Sequence, residues 1–529
     1  MWNLSQTLEK EKKLCLYALA ATFIWGFLAH GYGIVDSNFS HDSLAEFNSI
    51  LFGNQLKIIT GRFLSPFYRN FSRTDLTLPW LIGILGLLWC GLAVYLAVRT
   101  FQIENKTMIF LTAGIFTTNL TVSSTLATFI HDFDSDMLSL MFSVAAVYCW
   151  RKHPWGWLAG AFALMLSLGF YQSYIATTIT LVMFACILDL LEEVPFRDVL
   201  LRGMKAIGML LLGGILYYFA MNAVADYAGV TISSGAQNSM DNALKIFDLS
   251  FQELMRLVRI TYVYWYEKLV NVISPYPAIS APATKLMLLM ICGCVFLGIL
   301  KRNVKLPAKL LCLVLLVLLP FAMNIMHFLT SEQAHELMRF ALWMTYLLAL
   351  LLSRWLAGYL KEAKIPRISG ILQKIAPVPL ILCMVLVTIV VHGGVQTANA
   401  MYLKKDLEHD AYMAVVNRIL YRMEDFDGYV PGETPVAIVG LPQQMADIVP
   451  GFETYRDPNG MWMSDVLCFP EPDRWWAYYF KYTMMNPIKL AGGDIWHSMP
   501  DNPQVAQMPV YPAEGSLALI DDVLVVKLS

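Results

Sequence analysis

The chain has 529 residues, of which 57% are hydrophobic and 15% charged, whereas soluble proteins average roughly 45–50% and about 25%. Together with a mean hydropathy of +0.54, this composition excludes an ordinary soluble enzyme and indicates a polytopic membrane protein. The net charge of −2 hides an asymmetry, because residues 401–529 hold 9 basic and 18 acidic residues. A basic membrane part therefore precedes an acidic tail, and neither has the concentrated positive charge that binds nucleic acid.

Eleven apolar segments are long enough, or nearly long enough, to span a bilayer as helices. They cover residues 14–35, 79–98, 108–127, 136–150, 155–170, 174–191, 206–224, 285–300, 308–327, 339–358 and 376–394. The first segment lacks a clear cleavage site and is predicted to remain as a membrane helix. The predicted fold class is a polytopic α-helical membrane protein with about 11 transmembrane helices.

Lys and Arg residues are concentrated in alternate loops, which places those loops and the N-terminus in the cytoplasm. The loop at 128–135, on the other side, contains Asp132 and Asp134 but no Lys or Arg. Eleven spans then place the tail outside the cytoplasm. We predict a transmembrane domain over residues 1–394 and a soluble extracytoplasmic domain over residues 395–529.

The first outer loop, about residues 36–78, begins with acidic and polar residues that include Asp36 and Asp42. Ser43 and Glu46 form a capping box, which predicts a helix lying on the membrane surface. Asp42 precedes this helix, where backbone N–H groups favour the ionised carboxylate. Because a general base must be held close to the reacting hydroxyl, Asp42 is a candidate base, with a plain capping residue as the alternative.

Three arginines near the outer face are candidates for binding an anionic group. Arg62 and Arg69 follow the predicted surface helix, and Arg339 begins the tenth span. A guanidinium group suits a phosphate bidentately, and an idle charge in an apolar stretch is costly. For Arg69 and the nearby Arg73, snorkelling to lipid headgroups is the alternative.

The second outer loop concentrates acidic residues, with His131, Asp132, Asp134 and Asp136 close together. Carboxylate oxygens can bind a divalent cation, or they can orient the hydroxyl groups of a substrate. Asp136 can also cap the helix that follows. The spacing matches no recognised metal-binding loop, so the sequence favours binding of hydroxyl groups over binding of a metal.

Polar and aromatic residues mark the outer ends of other spans. Tyr171 and Gln172 separate the fifth and sixth spans, and His335 precedes the tenth. Such side chains can line a sugar pocket, with an aromatic belt at the membrane surface as the alternative. The sequence has no P-loop, GxSxG, HExxH or paired CxxC motif, which disfavours ATP-driven transport and metalloprotease activity.

The tail has the pattern of a small α+β domain. Helix-like spacing of apolar residues extends from Asp406 to Met423, and short apolar runs follow at 435–440, 517–520 and 522–526. Proline, glycine and asparagine separate these runs, which is typical of short strands joined by turns.

Three stretches resemble the GtrII family, whose best-known members are serotype-converting O-antigen glucosyltransferases of phages and bacteria. They are the acidic first outer loop, residues 61–66 (Gly-Arg-Phe-Leu-Ser-Pro) and residues 168–174 (Leu-Gly-Phe-Tyr-Gln-Ser-Tyr). The resemblance covers most of the membrane part and reaches residues 410–440. It implies a GT-C-like, inverting glycosyltransferase in the bacterial inner membrane, with its C-terminal domain in the periplasm or outside the cell.

The resemblance also implies the partners. The donor is a polyprenyl-phosphate sugar, commonly glucose on undecaprenyl phosphate, and the acceptor is a surface polysaccharide or lipid-linked glycan. Such an enzyme sits among membrane lipids and depends on a lipid-sugar synthase and a flippase. A first-loop carboxylate serves as base in the broader class, which matches Asp42 best and Asp36 second. Some GT-C relatives have an adjacent acidic pair there, and its absence here leaves the choice open.

In the expected mechanism, Asp42 deprotonates an acceptor hydroxyl, which attacks the anomeric carbon while Arg62 and Arg339 stabilise the departing phosphate. The acidic second loop, Tyr171, Gln172 and His335 are expected to bind the acceptor or the sugar. No cofactor is expected, and a divalent metal is the less favoured alternative. The competing class is a transporter or flippase of lipid-linked sugars, which would have substrate-binding groups near the bilayer midplane.

Overall fold

The structure, a computed structural model, describes residues 2–35, 39–40, 43–44, 50–74, 76–232, 248–271, 277–300, 305–330, 334–362, 369–440, 476–486 and 488–529. The chain forms two compact units. The first comprises Met1–Val35, Leu51–Leu126 and His131–Asn399, and the second comprises Asp36–Ile50, Ala127–Ile130 and Ala400–Ser529.

Helices dominate the chain up to residue 424. In chain order they are α1 Trp2–Val35, α2 Ile50–Ile59, α3 Ser65–Arg73, α4 Pro79–Thr100, α5 Lys106–Thr117, α6 Leu120–Thr128, α7 Phe133–Lys152, α8 Gly156–Phe170, α9 Ile175–Leu191, α10 Phe196–Ala228, α11 Phe251–Val270, α12 Pro277–Leu300, α13 Leu306–Met323, α14 Ile325–Leu329, α15 Phe340–Glu362, α16 Ser369–Ile375 and α17 Val378–Glu424. Each of the eleven predicted spans coincides with one or two of these helices.

Within the described ranges, 8 helices are long and apolar enough to cross a membrane, or 9 if α5 and α6, which are bent by 43°, form one span. This finding supports the class of a helical membrane protein. Helix α7 carries charged residues at both ends, and α8 has only 15 residues, so a total of eleven spans stays a prediction. The ninth predicted span, residues 308–327, is divided, because helix α13 ends at Met323 and α14 follows it as a separate short helix.

Glycines let α4 lie close to its neighbours. A Cβ atom at Gly83 would come within 2.7 Å of Ile34 in α1, and one at Gly91 would come within 2.7 Å of Leu19. Small residues at such interfaces let backbones approach closely, which supplies van der Waals contact where lipid removes the hydrophobic driving force. Helix α4 therefore packs firmly against α1.

Buried hydroxyl groups hold α7 against α8 and α9. The Oγ of Ser139 donates to the carbonyl oxygen of Ser167 at 2.8 Å, and the Oγ of Ser167 donates to that of Ser139 at 2.9 Å. One turn later, the hydroxyls of Ser143 and Thr178 lie 2.8 Å apart. These bonds fix the rotation of α7 about its axis and so direct the acidic residues in its first turn.

The second unit contains a three-stranded sheet with the order β1–β3–β2. Strand β1 (Val436–Val439) pairs in parallel with β3 (Val523–Lys527), and β2 (Leu517–Ile520) pairs with β3 antiparallel. Two short helices, α18 (Gly493–Ser498) and α19 (Pro503–Gln507), precede β2. The strands lie at the three apolar runs of the tail, and the predicted helix lies within α17. The position of this unit outside the cytoplasm stays a prediction.

Candidate functional site

Asp132 lies at the centre of a set of buried charges. It ends the 3-10 helix Ile130–Asp132, which precedes α7, and it is 2% exposed. Lys57 in α2 forms an ion pair with its carboxylate. The Nη1 atoms of Arg62 and Arg69 lie 3.4 Å and 3.9 Å from its oxygens. Three cations of the first outer loop thus converge on one carboxylate of the second.

Arg73 contacts the acidic loop on both sides of Asp132. Its Nε lies 3.3 Å from Oδ2 of Asp134, and both side chains are buried. Its Nη2 donates to the carbonyl oxygen of His131, and its Nη1 donates to that of Leu76 at 2.6 Å. This arginine therefore ties the end of α3 to the start of α7.

Asp136 lies in the first turn of α7 and is 2% exposed. It is within electrostatic range of Asp132 and Arg62, and its carboxylate accepts no hydrogen bond from any residue that the structure describes. We call this group the Asp132 cluster, and its members are Lys57, Arg62, Arg69, Arg73, Asp132, Asp134 and Asp136. Among the described residues, the cluster has four cations and three carboxylates.

The charge of Asp132 is set by its neighbours. Burial raises the pKa of the Asp132 carboxyl, but Lys57, His131 and Arg62 outweigh burial and hold that pKa well below its usual range. Asp132 is therefore ionised at neutral pH, and its charge offsets part of the positive charge buried around it.

The turn that carries Arg62 is fixed by hydrogen bonds. The Nε2 of Gln172 donates to the carbonyl oxygen of Thr60 at 2.8 Å and to the Oη of Tyr217 at 3.0 Å. The Oη of Tyr217 donates to the carbonyl oxygen of Gly61 at 3.2 Å. Gly61 has a φ of +81°, and a Cβ atom there would come within 2.6 Å of Nε2 of Gln172. This turn therefore requires glycine.

Arg62 is held on two sides, and one of its N–H groups has no described acceptor. Its Cζ lies 4.3 Å from the centroid of the Tyr171 ring, a cation–π contact. Its side chain is 13% exposed, and its buried Nε has no hydrogen-bond partner among the described residues. Because a buried donor without an acceptor is costly, this atom is suited to bind an oxyanion.

Arg339 lies in a different group of residues. Its Nη1 donates to Oε2 of Glu336 at 2.9 Å, and its Nη2 donates to the carbonyl oxygen of Ala334 at 2.7 Å. Its Cζ lies 5.6 Å from the centroid of the Tyr264 ring. We call this group the Arg339 cluster, and its members are Tyr264, Lys268, His327, Glu336 and Arg339.

Aromatic rings connect the two clusters. The ring centroids of Tyr171 and Tyr174 are 5.8 Å apart, and that of Tyr174 is 5.6 Å from that of Phe340, the residue after Arg339. His335 is half-buried as the N-cap of a 3-10 helix. The structure thus brings Arg62, the acidic loop and Tyr171 together, whereas Arg339 contacts Glu336, Ala334 and Tyr264 in a separate group.

The predicted catalytic carboxylates, Asp36 and Asp42, lie outside the described residues. Two serines of the same loop are described. The hydroxyls of Ser40 and Ser43 both donate to the carbonyl oxygen of Thr128. This stretch of the first outer loop is therefore fixed at Ser40 and Ser43.

Lys57 and Tyr217 were not predicted as site residues, and for Arg73 the sequence left open whether it binds an anionic group or a lipid headgroup. Lys57 is 7% exposed, and Arg73 is 3% exposed. A signal for Lys57 exists, because a single lysine beside Ile58 and Ile59 is costly in an apolar helix unless it is paired. Tyr217 gives no such signal, since it lies in an apolar span where aromatic residues are common.

Within the described part of the chain, no group of three His, Cys, Asp or Glu residues is arranged to hold a metal ion. Asp132 and Asp134 face lysine and arginine side chains instead. The expectation that activity needs no metal stays a prediction.

A protein-family model described as Glucosyl transferase GtrII matches residues 31–353. The match covers more than half of the chain, and it contains both the Asp132 cluster and the Arg339 cluster. No curated protein and no solved structure matches the chain.

Replacing Asp132 by Asn is expected to destabilise the protein at neutral pH, because breaking a buried ion pair typically costs about 3–5 kcal/mol. The folded-state pKa of Asp132 is lowered, so its stabilising effect is present above the ordinary carboxyl pKa of about 3.9 and is lost as the pH falls below it. Thermal unfolding in detergent, recorded at a series of pH values, checks this. The stability difference from wild type should be constant near neutrality and shrink below about pH 4.

The matched control is Asp198→Asn, which removes an exposed carboxylate at the start of α10. We expect this variant to unfold like wild type at each pH. An Asp132→Asn protein that is as stable as wild type near neutral pH would contradict the account.

Proposed function

Because the chain belongs to the GtrII glucosyl transferase family, we propose that it transfers a sugar, with glucose as the first choice, from a polyprenyl-phosphate donor to a surface polysaccharide or lipid-linked glycan. The reaction would take place on the extracytoplasmic side of the bacterial inner membrane. The observation that carries this proposal is the Nε of Arg62 in the Asp132 cluster, a buried donor that lacks a hydrogen-bond partner among the described residues. Such a site suits the phosphate of a lipid donor.

We assign the donor phosphate to Arg62. Asp132 and the Tyr171 ring hold its guanidinium in place, so its Nε–H points to a defined position before substrate arrives. A preorganised donor of this kind stabilises charge that grows in the transition state without a cost of reorganisation. Arg69, which is 3.9 Å from Asp132, adds positive charge at longer range. Arg339 lies in the neighbouring cluster, and its share in phosphate binding is considered below.

The acidic loop has two roles in the proposal. Asp132 and Asp134 are positioning residues, because their carboxylates face the cations of the first loop. Asp136, whose carboxylate accepts no hydrogen bond from a described residue, is left to bind a hydroxyl of the sugar or the acceptor. Tyr171 and Gln172 line the same site and keep their predicted roles in sugar or acceptor binding.

His131 and His335 also keep their predicted roles in binding the acceptor or the sugar. His131 lies within the acidic loop, 3.4 Å from Asp132. We propose that neither histidine holds a metal, because the departing monophosphate needs less charge neutralisation than a pyrophosphate does.

We assign the general base to Asp42, with Asp36 as the alternative. The base takes the proton of the acceptor hydroxyl while the hydroxyl oxygen forms a bond to the anomeric carbon. The bond from that carbon to the phosphate oxygen breaks, and the lipid phosphate leaves with its charge facing Arg62. A single displacement inverts the anomeric configuration. The chemistry needs no cofactor.

The transfer reaction can be measured with purified protein in detergent, radiolabelled undecaprenyl-phosphate glucose and the lipid-linked glycan of the host. We expect transfer by wild type and a loss of about 100-fold or more in Arg62→Gln, as is typical when a donor to a developing negative charge is removed. Arg197→Gln, which changes an exposed arginine in α10, should retain wild-type activity.

Two results would count against the proposal. If wild type fails to transfer the sugar but moves the lipid donor across liposome membranes, the protein is a flippase. If Arg62→Gln transfers as fast as wild type, the enzyme class stands and the donor phosphate binds elsewhere.

In the same assay, Asp42→Asn is expected to abolish transfer, because the amide cannot accept the proton of the acceptor hydroxyl. Elution of the variant at the wild-type volume in size-exclusion chromatography would show that the loss is not caused by misfolding. Undiminished transfer by Asp42→Asn would remove it as the base and leave Asp36 and Asp136 as the next residues to replace.

A further inference from the structure

The Arg339 cluster is built where α11 packs along the end of α13. The Oη of Tyr262 donates to the carbonyl oxygen of Val317 at 2.9 Å. The Nδ2 of Asn324 donates to the carbonyl oxygen of Thr261 at 3.0 Å. These bonds bring the last turns of α11 next to α14 and so place residues of two distant segments around one space.

His327 is a buried polar side chain whose ring makes no hydrogen bond to a described residue. It is 0% exposed, and neither of its ring nitrogens has a hydrogen-bond partner among the described residues. Its ring stacks on that of Tyr264 with centroids 4.3 Å apart. Burial, followed by the charges of Arg339 and Lys268, lowers the pKa of His327 to about 4. The ring is therefore neutral at neutral pH, with one nitrogen to donate and one to accept.

Two cations flank the same aromatic ring. The Nζ of Lys268 lies 5.7 Å from the centroid of the Tyr264 ring, and the Cζ of Arg339 lies 5.6 Å from it. Each cation raises the energy of the other, because like charges repel in a poorly solvated space. Glu336 pairs with Arg339 at 2.9 Å, and Glu267 is the other carboxylate that acts on Lys268.

Hydrogen-bond donors near the Tyr264 ring lack acceptors among the described residues. The Nε of Arg339 and both ring nitrogens of His327 have no hydrogen-bond partner among the described residues. Arg339 Nε and the protonated nitrogen of His327 are therefore donors without a described acceptor, and the half-buried Lys268 adds a positive charge beside them. Buried donors of this kind are costly when they stay unpaired, and a phosphate group supplies several strong acceptor oxygens together with the negative charge that two adjacent cations need.

We propose that Lys268, His327 and Arg339 bind the phosphate group of a lipid, at a site separate from the one that Arg62 forms, with the Tyr264 ring as its floor. Both substrates of the proposed transfer reaction can carry phosphate on a lipid, so a second phosphate site has a use there. The site takes the same chemistry from a polyprenyl phosphate, a bilayer phospholipid or free phosphate. Binding at this site does not require that the transfer reaction takes place.

The test is the number of undecaprenyl phosphate molecules that remain bound to the purified full-length protein in native mass spectrometry. Wild type should bind two. Lys268→Gln and His327→Gln should each weaken one binding event by about tenfold or more, as the loss of one charge-assisted or buried hydrogen bond implies. Lys285→Gln, at an exposed lysine in α12, is the matched control and should bind two. Undecaprenol, which has no phosphate, should not bind at the site in any variant.

A readout of stability separates a binding role from a structural one. Without ligand, Lys268→Gln should unfold at the wild-type temperature or higher, because burial and the charge of Arg339 outweigh the attraction of Glu336 and Glu267 and lower the pKa of Lys268. Unchanged binding of two undecaprenyl phosphate molecules by both Lys268→Gln and His327→Gln would overturn the proposal. Weaker binding together with a lower unfolding temperature of apo Lys268→Gln would also overturn it, since the lysine would then serve the fold.

Competition identifies the source of the phosphate. Displacement of one undecaprenyl phosphate by phosphatidylglycerol at equal concentration supports the site and assigns it to a bilayer phospholipid, and displacement by inorganic phosphate supports the site and assigns it to the free anion. Arg62→Gln should lose the other binding event and keep this one. Failure of the transfer assay with both lipid sites intact would count against the proposed function alone.

Discussion

An ionised Asp132 lies between Lys57 and Arg62 in a space almost closed to water, where neither the carboxylate nor the cations would be stable alone. This balance lets the chain keep several buried cations near one another. Helix α2 and the turn after it supply the cations, and the loop before α7 supplies the carboxylates. The hydroxyl bonds of α7 to α8 and α9 hold that loop in place, so the charge balance depends on the packing of the apolar helices behind it.

Local features of this arrangement can be predicted from the sequence, whereas contacts between residues far apart in the chain cannot. The helices could be predicted because length, hydropathy and periodicity are local properties. The acidic loop and Arg62 stood out because only 15% of the residues of this chain are charged. The ion pair of Lys57 with Asp132 joins residues that are 75 positions apart, and no local pattern reports such a contact. The glycine before Arg62 was visible as a motif, but its positive φ and its contact with Gln172 were not.

The two clusters differ in the charges around their arginines. In the Asp132 cluster, three described carboxylates face four cations, and the Nε of Arg62 has no hydrogen-bond partner among the described residues. In the Arg339 cluster, the cations share one close carboxylate, and a neutral histidine adds open nitrogens. The rings of Tyr171, Tyr174 and Phe340 contact one another edge to face, from the residue that stacks on Arg62 to the residue that follows Arg339.

We propose above all that the Nε–H of Arg62 binds the donor phosphate while its guanidinium keeps its contacts with Asp132 and the Tyr171 ring. A cryo-electron microscopy structure with undecaprenyl phosphate bound tests this claim most directly. The account predicts a phosphate oxygen within about 3 Å of Arg62 Nε, with the contacts to Asp132 and the Tyr171 ring retained. A phosphate bound away from Arg62, with Nε facing another protein group, would contradict it.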